Sequence, residues 1–198
     1  RTPQVMFDYN FSKNFTLTGG IIYQMQYLSA GPNGASDNYL KYSCVPEIYA
    51  GATFKSNDGF TGRVGVDVLS IKPRWRDGAG NKVDDRITTI NPYVYVQYVN
   101  KDFSINGKVV YASAGEHFNM LSGYGVSKVN ADGSMDYAPL HSTASFLSVK
   151  YGRKVQVQGM IGYVKNLGTS ESLVADKTVD GKDYTKTSNL YISGNGFH

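Results

Sequence analysis

Residues 15–27 read Phe-Thr-Leu-Thr-Gly-Gly-Ile-Ile-Tyr-Gln-Met-Gln-Tyr, and their alternation sets the fold class. Side chains of a β-strand point to its two faces in turn, so Phe15, Leu17, Gly19, Ile21, Tyr23, Met25 and Tyr27 share one face while Thr16, Thr18, Gly20, Ile22, Gln24 and Gln26 share the other. The alternation is long as well as regular. Strands of soluble domains most often run about 5–6 residues, whereas strands that cross a bilayer need about 9–11. Three further stretches repeat the split. Phe60, Val64, Val66 and Val68 stand against Thr61, Arg63, Asp67 and Leu69; Phe103, Ile105, Val109 and Tyr111 against Ser104, Asn106, Lys108 and Val110; Val155, Val157, Ile161 and Tyr163 against Lys154, Gln156, Gln158 and Met160. No charged residue falls on the apolar set of these stretches.

Working outward, the same period predicts nine strands, at 4–10, 15–28, 45–54, 60–71, 89–99, 103–113, 143–151, 154–165 and 189–197. The chain therefore reads as all-β. Its connections alternate between short turns (11–14, 55–59, 100–102, 152–153) and long segments (29–44, 72–88, 114–142, 166–188) rich in Gly, Asn, Asp, Ser and Lys. In an up-and-down meander all the short connections lie at one end and all the long ones at the other. Outer-membrane barrels have this asymmetry, with short periplasmic turns and longer extracellular loops. The fold expected is an antiparallel up-and-down transmembrane β-barrel, with residues 1–198 forming a single segment of it.

Alternation alone does not say which face is outside, since a soluble barrel also alternates, with its apolar set inward. The polar set decides for the membrane: it is mostly Thr, Ser, Gln, Asn and Gly with few charges, suited to a lumen rather than to bulk water. Apolar positions near strand ends are often Tyr (Tyr9, Tyr27, Tyr98, Tyr111, Tyr151, Tyr163), where an interfacial girdle would sit. Eight residues are expected to line the pore: Glu47, Arg63, Asp67, Lys108, Lys150, Lys154, Gln156 and Gln158. Arg63 and Asp67 share one face of a strand and are expected to pair in part; Lys108 and Lys154, just beyond short turns, are expected in the periplasmic half. Val64, Val66, Val109 and Val157 are expected to face lipid near mid-membrane.

The hairpin sequences Phe103-Ser-Ile-Asn-Gly-Lys-Val-Val-Tyr111 and Val155-Gln-Val-Gln-Gly-Met-Ile-Gly-Tyr-Val-Lys-Asn-Leu-Gly168, with Asn189-Leu-Tyr-Ile-Ser-Gly-Asn-Gly-Phe197, resemble porin-type outer-membrane proteins of Bacteroides and its relatives. The resemblance lies in strand texture and carries over no site residue. It implies a barrel in the bacterial outer membrane, longer than this segment, that admits small solutes by passive diffusion. Strand 4–10 runs into a short turn, so at least one strand is expected before Arg1, and an odd strand number fits a fragment because bacterial single-chain barrels are even.

Other function classes leave little trace. No run approaches the ~18 apolar residues of a spanning helix. The 20 Lys and Arg are dispersed, so no nucleic-acid stripe is expected. Cys44 is the one cysteine, which excludes an intramolecular disulfide. His117, His141 and His198 lack metal-ligand spacing, and no metal or cofactor is expected. The acidic segments Asn130–Asp136 and Asp176–Asp183 carry oxygen ligands at near spacings, yet neither matches an EF-hand loop, and both read as polar hairpin tips. Evidence for a hydrolase is confined to Glu116 beside His117 and His141 beside Ser142; neighbours in a strand point to opposite faces, so no catalytic residue is expected. The partners expected are outer-membrane lipids and small solutes, with a homo-oligomer left open. A barrel enzyme or surface-binding barrel, and a soluble ligand-binding β-barrel, are the alternatives. Loop 114–142 is either a constriction folded into the lumen or an external loop.

Overall fold

In the computed structural model the described residues are 2–24, 28–32, 34–77, 79–118 and 120–174, with 178–179, 182–183 and 195–197. In chain order the elements are β1 (Gln4–Asn10), β2 (Phe15–Ile22), β3 (Ser29–Gly31), β4 (Gly34–Ser36), α1 (Asn38–Ser43), β5 (Glu47–Lys55), β6 (Phe60–Ile71), β7 (Ile87–Val99), β8 (Phe103–Ser113), a 3-10 turn (Gly115–Phe118), β9 (Tyr124–Val129), β10 (Met135–Tyr151), β11 (Val157–Thr169), β12 (Thr178–Val179), β13 (Lys182–Asp183) and β14 (Asn195–Phe197). The main sheet is an antiparallel meander in the order β1-β2-β5-β6-β7-β8-β10-β11-β14. All-β is thus the fold class. Among the described residues the path is open: no ladder joins β1 to β14.

The short connections 11–14, 56–59, 100–102 and 152–156 all fall at one end of this meander, and the long ones at the other. The long ones are not structureless. The connection 23–46 holds the β3–β4 hairpin and α1, and 114–142 holds β9 and the first half of β10, with Met135 paired to Val129 and Pro139 to Tyr124. Of the expected strand 189–197 only Asn195–Phe197 is described, paired with β11.

Alternation gives the sheet two unlike faces. Odd positions of β1, β2, β8 and β11 and even positions of β5, β6 and β7 form one apolar, exposed face: Phe7 (71% exposed), Val64 (52%), Val109 (54%) and Ile161 (59%) are on it. The other face carries a buried apolar cluster at the long-connection end. There Leu69 and Ile71 of β6 and Ile87 of β7 pack with Tyr39 and Leu40 of α1 and Tyr124 of β9. A six-residue helix does not hold itself in water. Burial of Tyr39 and Leu40 holds α1, and the Lys72 N–H donates to Tyr39 O at 2.9 Å. The αL residue Cys44 caps the helix through its N–H to Leu40 and Lys41 carbonyls.

Pro92 lies inside β7, where it cannot donate to a ladder. The β7–β8 ladder accordingly begins at Tyr93, and beyond it the fully buried Asn91 side chain accepts the Ser113 N–H at 2.7 Å.

Candidate functional site

Below the packed end, the second face is polar and open. Asp8 of β1 and Tyr93 of β7 line one cleft of about 660 Å³. These strands stand four ladder steps apart, about 19 Å on a flat sheet, so the sheet curls around this face. A second cleft of about 660 Å³ lies beside Lys55, Arg63, Tyr93, Tyr95 and Lys108.

Two glycines shape the floor. Gly51, Gly65 and Tyr93 are direct cross-strand partners on β5, β6 and β7. With no side chain at Gly65, the rings of Tyr49 and Tyr93 reach toward each other over β6, stacked at 15° with centroids 6.4 Å apart and hydroxyls 2.6 Å apart. A Cβ at Gly65 would sit 2.6 Å from the Tyr93 ring and 2.9 Å from the Tyr49 hydroxyl. Glycine inside a strand often marks such a close approach. The bridge separates Arg63 from Asp67 on their common face, so the pairing expected between them does not form. Arg63 Nε donates to Thr53 Oγ1 at 3.1 Å, whereas Asp67 accepts from Asn91 Nδ2 at 3.4 Å.

Six of the eight expected pore-lining residues share this face: Glu47, Arg63, Asp67, Lys108, Lys150 and Gln158. They are not equivalent. Glu47 and Asp67 are only 3% and 2% exposed, hydrogen-bonded to Gln24 (2.9 Å) and Asn91, and their side chains also meet each other; neither presents its charge to the clefts. Lys108 Nζ lies 4.8 Å from the centroid of the Tyr93 ring. Gln158 Nε2 donates to Ser148 Oγ at 3.1 Å. For Lys154 and Gln156 the expected strand is corrected, since β11 starts at Val157 and both residues belong to the turn 152–156; Gln156 still lines a cleft at the short-turn end with Lys150, Gln97 and Ser104. Gly152 adopts φ +111° there, so the turn takes five residues and removes them from the strand. Val157 consequently pairs with Tyr151 at the short-turn rim rather than near mid-strand.

Comparison with known proteins finds no matching family model, curated protein or solved structure.

Lys55, Tyr49, Tyr93 and Tyr95 were not singled out from sequence. Lys55 falls in the turn expected at 55–59, and a tyrosine inside a strand carries no mark that sets it apart from an ordinary strand former. His141 and Ser142 point to opposite faces and have separate partners: Ser142 Oγ donates to Leu121 O, and His141 Nδ1 meets Ser113 Oγ at 2.7 Å and Tyr111 Oη at 2.8 Å. Two hydroxyls share that nitrogen, and among the described residues no carboxylate is hydrogen-bonded to the ring, so the geometry of a triad is lacking there. The side chains of Glu116 and His117, and residue His198, lie outside the described set. Residues 130–134 form a hairpin tip closed on itself, with Ser134 donating through N (3.0 Å) and Oγ (2.6 Å) to Asp132. In 176–183, Thr178–Val179 and Lys182–Asp183 pair as an antiparallel hairpin, and the other four residues lie outside the described set.

The long-connection end is tied by charge. Arg74 and Asp85 form an ion pair at 2.7 Å with side chains 8% and 6% exposed, and Asp85 also accepts the Met135 N–H at 3.2 Å. Arg74 donates to Gly133 O, so connection 72–86 is fastened to the β9–β10 hairpin. Arg86 donates to Ser43 at the end of α1. Hydrogen bonds from Lys72 and then Arg86 hold the Asp84 carboxyl below the usual carboxylate range, as Asn81 does for Asp77 and Ser134 for Asp132.

Proposed function

We propose that this chain forms part of the wall of a β-barrel in the bacterial outer membrane, and that its polar face lines a passive pathway for small solutes. One observation carries the reading. The apolar face runs across the meander with its side chains exposed, through Phe7, Ile21, Ile48, Val64, Val94, Val109, Leu147 and Ile161. A soluble monomer rarely exposes a contiguous apolar patch beyond a few hundred Å². On β6 the apolar positions run from Phe60 to Val68, a length in keeping with the ~9–11 residues of a bilayer-crossing strand. Phe11, Phe54, Phe60, Tyr98 and Tyr151 gather on that face at the short-turn rim, as an interfacial girdle requires. The resemblance to porin-type proteins of Bacteroides and relatives agrees with this.

In this reading the Val and Ile side chains meet lipid, the Thr, Gln and Asn side chains hold water along the wall, and α1 with β9 narrows the long-connection end. No covalent step is assigned to any residue. Sheet edges do not persist in hydrocarbon, so the wall is completed by further strands or by other copies. The test is planar-bilayer recording of the detergent-purified protein. Steady ohmic steps support the pathway; a protein that stays monodisperse without detergent and gives no conductance rules it out.

A further inference from the structure

Thr53, Arg63, Tyr95, Lys108 and Phe146 form one cross-strand row on the polar face. Arg63 and Lys108 flank Tyr95 from the two neighbouring strands, their backbones about 10 Å apart. They are close enough to act on each other electrostatically, and Lys55 lines the same cleft. Two or three cations held together repel unless something answers them. Among the described residues nothing of opposite charge does: the ion pairs found (Lys41–Asp37, Lys72–Asp84, Arg74–Asp85, Arg86–Asp84, Arg153–Asp102) all lie in connections or on α1. The acids nearest on this face are otherwise engaged. Asp67 and Glu47 are sealed beyond the tyrosine bridge; Asp8 lines the adjoining cleft together with Arg63 and Lys55 but accepts from Thr18 Oγ1 at 2.6 Å and makes no ion pair with either cation.

We propose that Arg63, Lys108 and Lys55 form a binding site for the oxyanion group of a solute, a phosphate, sulfate or carboxylate. The proposal rests on the lumen reading of this face. An oxyanion accepting from a guanidinium on one side and an ammonium on the other, each at about 2.8 Å, spans a gap of this size. Arg63 supplies a planar donor fork held by Thr53, and Lys108 a point charge steadied over the Tyr93 ring. The phenol of Tyr95, between the two cations, adds a donor and flat apolar surface, which suits an anionic group carried on a sugar-like body. Low-dielectric walls strengthen the field of such a cluster.

Two measurements on the protein in detergent micelles and planar bilayers test this. Calorimetric titration uses inorganic phosphate and, separately, glucose 6-phosphate; the reversal potential is read in a KCl gradient. The variants are the Arg63→Gln, Lys108→Gln pair and, in case that pair fails to refold, Lys108→Gln alone, with heat-modifiable gel migration reporting folding. Phosphate binding and chloride preference are both expected to fall about tenfold in the pair, the low end of what a focused field does to local counter-ion concentration. A barrel that is silent in bilayers but binds phosphate in an Arg63- and Lys108-dependent way retains the site and overturns the pore. Cation preference in the unmodified protein, absent phosphate binding, or values that ignore the substitutions overturn the site. Tighter binding of the sugar phosphate than of free phosphate assigns the site to a solute-borne group; equal binding assigns it to the free ion.

Discussion

Tyr49 and Tyr93 meet only because β6 offers no side chain beneath them. Gly65→Ala puts a methyl within 2.6 Å of the Tyr93 ring and must push both rings aside. Overpacking of this kind costs about 1–3 kcal/mol. Tyr93→Phe keeps the ring and loses one hydroxyl contact, worth about 1 kcal/mol. Urea unfolding in micelles should therefore rank Gly65→Ala below Tyr93→Phe; equal midpoints would show that the rings do not bridge the strand. Half of this arrangement was legible. Gly51 and Gly65 announce themselves as glycines inside a strand, but the rings above them come from β5 and β7, which are far apart in sequence and meet only through register. Arg63 and Asp67 show the same limit, since correct assignment to one face said nothing of the bridge between them.

Among the elements, the strands were the legible part, because period-2 alternation writes each one locally. The covering elements were not. The six residues of α1 are too few for a helical period to show, and Asp37 makes no side-chain cap to mark its start. The extension of β10 back to Met135 was hidden by Pro139, which reads as a break and here pairs across from Tyr124. Apolar burial holds α1, and charge fastens connection 72–86 beside it. Asp85→Ala leaves Arg74 buried without its carboxylate, and breaking a buried pair in this way costs about 3–5 kcal/mol. Limited proteolysis should then cut connection 72–86, intact in the parent protein; unchanged protection would mean that the apolar packing of α1 suffices. Acid acts on the same connection. Asp84 has its folded-state pKa depressed, so its contribution is present above the ordinary carboxylate pKa of about 3.9 and is lost as pH falls through the folded value. Amide exchange in 72–86 should rise below about pH 4 relative to a neutral-pH baseline corrected for intrinsic rates. In Asp84→Asn the rise should be smaller, and an identical acid response in both proteins would assign it to other groups.

Over the whole molecule the two faces make opposite predictions for the same substitution. Val94→Arg or Val109→Arg puts a charge on the apolar face and should cost about 2–4 kcal/mol in a bilayer, whereas Asn106→Arg, on the polar face, should cost far less. Equal losses would mean that the apolar face packs against a protein partner or nothing at all, since depth in lipid is what makes the difference. The open path of the sheet sharpens the matter. β1 pairs only with β2, so alternate N–H groups of Gln4–Asn10 have no partner among the described strands. In hydrocarbon each unpaired group costs several kcal/mol, enough to force the edge shut against another strand. In water the same edge would simply be hydrated. Hydrogen exchange on protein reconstituted in lipid vesicles separates these cases residue by residue. If the wall closes, Val5 through Tyr9 should all be protected. A strictly alternating pattern, with every second amide of β1 exchanging fast, would show an edge bathed in water and would remove the membrane barrel together with the pathway proposed along its wall.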